Sequence, residues 1–102
     1  MYRARDAVEY AAWLSDIDDA ATALDVDDGA RGTARDLFLS AMPAEDRSKP
    51  AIAAASLYAG TLVAGDERSQ AAVAEAMDVS RLSVQSRWKD LLADAGLSPP
   101  SW

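Results

Sequence analysis

This sequence predicts an all-α domain, and three observations support that class. Apolar residues recur at steps of three and four along most of the chain, as they do on the buried face of a helix. No segment alternates apolar and polar residues with the period of two that a half-buried strand requires. Clusters containing Gly, Pro and Asp separate the periodic segments, and 102 residues are enough for one small domain.

The first predicted helix carries one apolar stripe, formed by Tyr10, Trp13, Leu14, Ile17, Ala20, Ala21 and Leu24. Asp6 and Glu9 have the spacing of a capping box at its start. Ser15 and Asp16 offer a second possible start, so the pattern leaves open whether this segment is one helix or two.

A turn at residues 26–29 precedes the second predicted helix, with Asp27 as its N-cap and Pro43 ending it after Met42. Its inward positions are Ala30, Ala34, Leu37, Phe38 and Ala41.

The third predicted helix, residues 49–63, is the central one. Ser48 is placed to cap it, and Pro50 lies in its first turn, where a missing N–H costs nothing. The run AIAAASLYAG has small residues on nearly every side, which indicates a helix buried all round. Gly60 permits close approach of a neighbour, and Gly65 ends the helix before a short polar loop.

Two more predicted helices follow, with Ser69 and Ser80 as N-caps and Asp78 and Val79 as the turn between them. The inward residues are Val73, Ala74, Met77, Val84, Trp88, Leu91 and Leu92.

This arrangement over residues 69–92 predicts a helix-turn-helix, whose second helix lies in a DNA groove. The residues left near its exposed N-terminal part are Arg81, Leu82, Ser83, Gln85, Ser86 and Arg87. Lys89, a little further along, is also predicted to contact DNA. With Asp90 included, residues 79–92 carry a net charge of +2, but an ordinary helical hairpin with a mildly basic face fits the same pattern.

The composition argues against most enzyme classes. The chain has no cysteine and no histidine, which excludes disulfides, thiol nucleophiles and imidazole bases and leaves no usual structural zinc ligand set. The carboxylates stand in no nucleophile, metal or phosphate-loop motif, and Asp18, Asp19, Asp27 and Asp28 are simplest as helix caps and solvated surface. We expect no catalysis, no cofactor and no metal.

The sequence also indicates where the protein resides. No apolar run approaches the roughly 18 residues of a membrane span. The start, MYRARDAVEY, lacks the apolar core of a secretory signal, so a cytoplasmic protein is expected.

The net charge of −7 is uneven. Residues 1–46 contain four basic and eleven acidic side chains, whereas residues 47–102 contain six of each. Abundant aspartate and alanine with only two lysines are typical of proteins from salt-loving organisms; an ordinary acidic surface is the alternative.

At this point the stretch RSKPAIAAASLYAGTLVAGDERSQAAVAEAMDVSRLSVQSRWKDLL resembles the second cyclin-like repeat of archaeal transcription factor B, the counterpart of eukaryotic TFIIB. The matching elements are SKP at 48–50, AAASLY at 53–58, SQ at 69–70, VA at 73–74 and RWKDL at 87–91. The stretch WLSDIDDAATALDVDDGARGTARDLF matches the first helices of such a repeat more loosely. The resemblance implies a five-helix cyclin-like domain ending in a helix-turn-helix over residues 13–95. Residues 1–12 would be a helical extension and residues 96–102 a tail, and a haloarchaeal source is implied.

The resemblance also implies roles for single residues. In the family, a Val and an Arg on the last helix read the promoter element beside the TATA box, and these positions fall on Leu82 and Gln85. Leu82 keeps an apolar contact for a thymine methyl, whereas Gln85 departs from the family because glutamine prefers adenine and arginine prefers guanine. Arg81, Ser83, Ser86 and Arg87 would contact phosphates or flanking bases. The residues at the start of the preceding helix, Ser69 and Gln70, are placed for phosphate contacts.

Other family features are missing. The chain has no cysteines for a zinc ribbon, and it has one repeat where the family has two. Three interpretations remain: a regulator that reads promoter DNA and is dimeric if it spans two half-sites, an accessory or competitor of the general factors, or a cyclin-fold module that binds a protein without touching DNA. TATA-binding protein or another transcription factor is a candidate partner. In the tail, Trp102 is expected to fold back, to dock on a partner or to end a frayed terminus.

Overall fold

The computed structural model describes residues 11–41 and 49–97, and helices dominate both stretches. These two stretches contain six helical segments: α1 Ala11–Ala23, α2 Asp28–Ala41, α3 Lys49–Val63, α4 Gln70–Met77, α5 Arg81–Gln85 and α6 Trp88–Asp94. No strand occurs in these two stretches. The predicted all-α class is confirmed.

Helix α3 is the centre of the fold, as its small residues predict. It packs against each of the other five segments, and every residue from Ala53 to Leu62 is buried. Its bounds agree with the predicted residues 49–63. Helices α1, α2, α4, α5 and α6 therefore share one core built around α3.

Helices α2 and α3 approach closely at Gly60. A Cβ atom at this position would lie 2.8 Å from the Ala34 backbone nitrogen and 2.9 Å from the Ala30 carbonyl oxygen. Distances this short leave no room for a Cβ atom, so glycine is required at this position. The predicted role of Gly60 is confirmed.

Helix α1 is a single helix across Ser15 and Asp16, which decides between the two alternatives that the sequence leaves open. It ends where Asp25 adopts a left-handed φ of 57°. Asp27 then caps α2, since its Oδ1 accepts a hydrogen bond from the Ala30 N–H at 2.9 Å. Each of the inward positions predicted for α2 is buried, except that Ala41 is half-buried.

The single last helix that the sequence predicts is divided between α5 and α6. Arg87 leaves helical geometry with φ −122° and ψ −23°, and its N–H donates to the Val84 carbonyl three residues back at 3.2 Å. The Ser86 hydroxyl donates to the Ser83 carbonyl at 3.3 Å, a local bond that competes with the regular helical pattern. The prediction of an uninterrupted helix is therefore wrong, although its predicted stripe of Val84, Trp88, Leu91 and Leu92 is buried.

Two charged residues hold the loop between α3 and α4 against the turn between α1 and α2. The Arg68 guanidinium donates to the carbonyl oxygens of Leu24 at 2.9 Å and Asp25 at 2.8 Å, and to the Asp66 carboxylate at 2.8 Å. Asp66 in turn accepts a hydrogen bond from the Asp27 N–H at 2.9 Å. This loop, predicted only as polar, is thus bonded to the turn that precedes α2.

Some predictions lie outside the described residues. They are the capping box of Asp6 and Glu9, the inward Tyr10, the end of the second helix at Met42 and Pro43, the cap at Ser48 and the tail with Trp102. In the described stretches, no helix has the length and apolar character needed to cross a membrane.

Candidate nucleic-acid interface

The turn between α4 and α5 is built by local hydrogen bonds that the sequence predicts. The Ser69 hydroxyl accepts from the Ala72 N–H at 3.0 Å and starts α4. Asp78 ends α4 in the left-handed region, with φ 57° and ψ 46°. The Ser80 hydroxyl accepts from the Ser83 N–H at 3.1 Å and starts α5. Both predicted serine caps and the predicted turn are confirmed.

Buried side chains fix how these short helices sit on α3. Val73, Ala74 and Val84 are buried where α4 and α5 meet. Trp88 is 3% exposed, and its ring meets the Tyr58 ring edge-on at 5.4 Å between centroids. Contacts with the core therefore hold α4, α5 and α6 in place, and the faces of these helices that point away from the core are exposed.

Three predicted DNA-contacting residues share the exposed surface of α5. Arg81, Leu82 and Gln85 are all exposed, and the Leu82 side chain is 73% exposed. A leucine this exposed adds nothing to the core. It is therefore free to make an apolar contact with a ligand.

The serine hydroxyls beside this surface already have local partners. The Ser83 hydroxyl lies 2.9 Å from the Ser80 hydroxyl, and Ser83 is half-buried. The exposed Ser86 donates to the Ser83 carbonyl. The Ser83 and Ser86 hydroxyls therefore each have a local hydrogen-bond partner. A phosphate oxygen accepts hydrogen bonds, so a hydroxyl must donate its proton to bind one, and these two would have to exchange their local bonds to do so.

The basic residues Arg87 and Lys89 lie just beyond α5. The Lys89 Nζ sits 5.5 Å from the centroid of the Trp88 ring, a cation–π distance that holds the ammonium near this face. Arg87 is exposed and borders a groove of about 530 Å³ that Asp90 and Asp94 also line. The basic charge is therefore not isolated, since two carboxylates stand beside Arg87.

Ser69 and Gln70, predicted to contact phosphate, differ in exposure. Ser69 is exposed, with its hydroxyl used as the cap of α4. Gln70 is half-buried, and its side-chain Oε1 is enclosed with no hydrogen-bond partner among the described residues. A phosphate would need the Gln70 Nε2 as donor. Seven of the nine predicted residues are exposed, namely Ser69, Arg81, Leu82, Gln85, Ser86, Arg87 and Lys89. The other two, Gln70 and Ser83, are half-buried.

Asp66 and Arg68 are the polar residues that sequence reasoning missed. The hydrogen bond from the Asp27 N–H, and then the one from Arg68, lower the pKa of the Asp66 carboxyl below its ordinary value of 3.8. Both partners of Arg68 on the first turn are more than 40 residues away, so no local pattern signals the contact. The two residues join the loop between α3 and α4 to the turn between α1 and α2, and they are not among the predicted DNA-contacting residues.

Within the described stretches, no three Asp or Glu side chains cluster in a way that would hold a metal ion. The fold and site together define an all-helical domain that presents a short, capped helix at its surface. No protein-family model matches the chain, and no curated protein matches it significantly.

Proposed function

We propose that this chain is a single cyclin-like repeat related to transcription factor B and that it regulates transcription by binding promoter DNA through α5. One observation carries the proposal: Arg81, Leu82 and Gln85 project from a short capped helix whose opposite side is anchored in the core by Val84. A helix held from behind and exposed in front is the geometry with which helix-turn-helix proteins enter a major groove.

The chemistry of the three side chains suggests what they read. Leu82 suits the methyl group of thymine, and Gln85 suits the paired donor and acceptor of adenine. Arg81 supplies a charged contact to a phosphate. We therefore expect an A·T-containing element, different from one read by an arginine at position 85.

The shortness of α5 restricts how much DNA one copy can read. Five residues rise about 7.5 Å along a helix axis, which is close to the length of two base-pair steps. Specific binding then requires further contacts, from Lys89 on α6, from a second copy on a neighbouring half-site or from a partner factor such as TATA-binding protein.

Salt should affect this binding unusually. The chain has a net charge of −7, so its carboxylates repel DNA at low salt. At about 1 M salt the Debye length falls to about 3 Å, and both this repulsion and the gain from counterion release shrink. We expect DNA affinity to fall little, or to rise, as KCl increases.

The decisive experiment is a fluorescence-anisotropy titration with an archaeal TATA-containing promoter duplex and with a randomised duplex pool, from 0.1 to 2 M KCl. Arg81→Ala and Arg87→Ala should each weaken binding by about fivefold or more, since a phosphate contact is lost. Arg35→Ala, an exposed arginine on α2, is the matched control and should bind as the unmodified chain does. Equal affinities for all three variants, or a steep loss of affinity with KCl, would refute the proposal.

A second candidate is a cyclin-fold module that binds a transcription component without touching DNA. The groove beside Arg87 favours it, because Ile52 and Leu91 give it an apolar floor while Asp90 and Asp94 make its edge unsuited to phosphates. Failure to bind any duplex across the whole KCl range, with retention of a transcription factor in a pull-down at the same salt, would select this function.

A further inference from the structure

A second groove, of about 250 Å³, lies between α1 and α4 beside the start of α3. It contains none of the residues proposed to contact DNA. Its apolar lining comes from Trp13, Ala20, Ala23, Pro50, Ala76 and Met77, and its acidic lining from Asp16, Asp19 and Asp78. Large apolar side chains and carboxylates are thus brought together at one place on the surface.

The apolar part of this groove is incompletely covered. Trp13 and Met77 pack against the core but remain partly exposed, although both are large apolar side chains. The groove is smaller than the roughly 300–1,000 Å³ of a small-molecule pocket. Its size favours a single inserted side chain over a whole metabolite.

The carboxylates of the groove differ from the neighbouring Asp18 in their pairing with the described residues. Asp18, on the same helix as Asp16 and Asp19, pairs with Arg31 at 3.3 Å. None of the residues in the two described stretches forms a salt bridge with Asp16, Asp19 or Asp78. All three are exposed, so their charge is directed at solvent.

We propose that this groove binds a cationic amphipathic segment of a partner protein. One apolar side chain of the segment packs against Trp13 and Met77, and Lys or Arg residues on either side pair with the Asp16, Asp19 and Asp78 carboxylates. Charge complementarity selects this occupant, because an acidic rim repels nucleic acid and acidic peptides while the net charge of −7 attracts cationic ones. The groove would add a protein partner to a chain that contacts DNA elsewhere.

The test uses the full chain and a fluorescein-labelled twelve-residue peptide with leucines at i, i+3, i+4 and i+7 and lysines at the other positions. A peptide with glutamate in place of each lysine is the control ligand. At 0.15 M KCl the lysine peptide should bind, and its NMR shift changes should centre on the Trp13 indole and Met77. The glutamate peptide should not bind.

Matched variants separate this groove from the general negative charge of the chain. Asp16→Asn combined with Asp19→Asn should lower the affinity for the lysine peptide by about fivefold or more. Glu67→Gln combined with Asp94→Asn removes the same charge at exposed positions away from the groove and should change affinity less than twofold. Met77→Gln keeps every charge and should also weaken binding, with circular dichroism confirming that each variant is folded.

Several results would overturn the proposal: no binding of the lysine peptide, equal losses in the two charge-matched pairs, or shift changes centred on α5. Light scattering tests whether a second copy of this chain occupies the groove. A dimer that dissociates in the Asp16→Asn, Asp19→Asn variant would show self-association through the groove in place of the proposed partner. Tighter peptide binding by an Arg3→Ala, Arg5→Ala variant would assign the groove to the chain's own N-terminal residues. A DNA titration of the same variants tests the proposed function separately from the groove, because α5 is unchanged in them.

Discussion

At the scale of single residues, Arg68 joins two loops that lie far apart in the sequence. Its guanidinium donates to the carbonyls of Leu24 and Asp25 and to the Asp66 carboxylate at the same time. A lysine has one compact ammonium and cannot reproduce this planar fork. We expect Arg68→Lys to lower the free energy of unfolding by about 1–2 kcal/mol in urea denaturation.

The control for Arg68→Lys is Arg35→Lys, because Arg35 is exposed on α2. It should change the urea midpoint negligibly. If the two variants unfold at the same urea concentration, the contacts of Arg68 do not contribute to stability.

Asp66 makes stability depend on pH in a defined direction. Hydrogen bonds from the Asp27 N–H and from Arg68 lower the folded-state pKa of this carboxyl below 3.8, its ordinary value. A depressed carboxyl pKa stabilises the folded chain fully above the unfolded-state pKa, and this stabilisation is lost as pH falls through the folded-state pKa. The melting temperature should therefore fall as the pH drops below about 4.

Asp66→Asn isolates this contribution from that of the other carboxylates. The variant should melt at a lower temperature at pH 7, and the difference from the unmodified chain should shrink towards pH 2. A difference that stays constant over this range would show that the charge of Asp66 has no part in the effect.

At the scale of elements, the contact between α2 and α3 depends on the missing side chain at Gly60. A methyl group there would lie within 3 Å of backbone atoms of both Ala30 and Ala34. Alanine favours helices by about 1 kcal/mol over glycine, but overpacking costs about 1–3 kcal/mol. Gly60→Ala should therefore reduce the free energy of unfolding, measured by urea denaturation.

Gly32→Ala is the matched substitution for this prediction. Gly32 lies in α2, and a Cβ atom there would meet no atom within 4 Å. The helix propensity of alanine then acts alone, and the variant should gain about 0.5–1 kcal/mol. Equal effects of the two substitutions would mean that α2 and α3 separate easily at Gly60.

Elements bounded by local chemistry were predictable from the sequence. The central helix has its predicted bounds because a proline in its first turn and a glycine after its last residue act within a few residues of themselves. The caps at Asp27, Ser69 and Ser80 are confirmed for the same reason. The exposed positions on α5 follow from the buried stripe beside them.

Features that depend on distant contacts or on competing local bonds were not predictable. The partners of Arg68 come from a turn more than 40 residues away. The division at Arg87 leaves the buried stripe in phase, so periodicity cannot reveal it. For the candidate site, sequence reasoning located the exposed residues but not the enclosure of the Gln70 Oε1.

At the scale of the whole molecule, the described residues form an apolar core beneath an acidic outer surface. The seven aspartates of residues 11–41 are all exposed, whereas the core around α3 is rich in alanine. Small buried side chains yield little hydrophobic stabilisation each, so repulsion among surface carboxylates opposes a modest favourable term. The balance between these two terms should depend on salt.

We therefore expect the chain to be more stable at 2 M KCl than at 0.05 M KCl. At the higher concentration the Debye length is below about 3 Å, so the repulsion between surface carboxylates is screened. The melting temperature by circular dichroism should rise continuously over this range. Asp16→Asn combined with Asp19→Asn removes two exposed carboxylates that form no salt bridge with a described residue. This variant should be more stable than the unmodified chain at 0.05 M KCl and should gain less from added salt. A salt response identical in the two chains would assign the effect to salting-out of apolar surface instead of to screened repulsion.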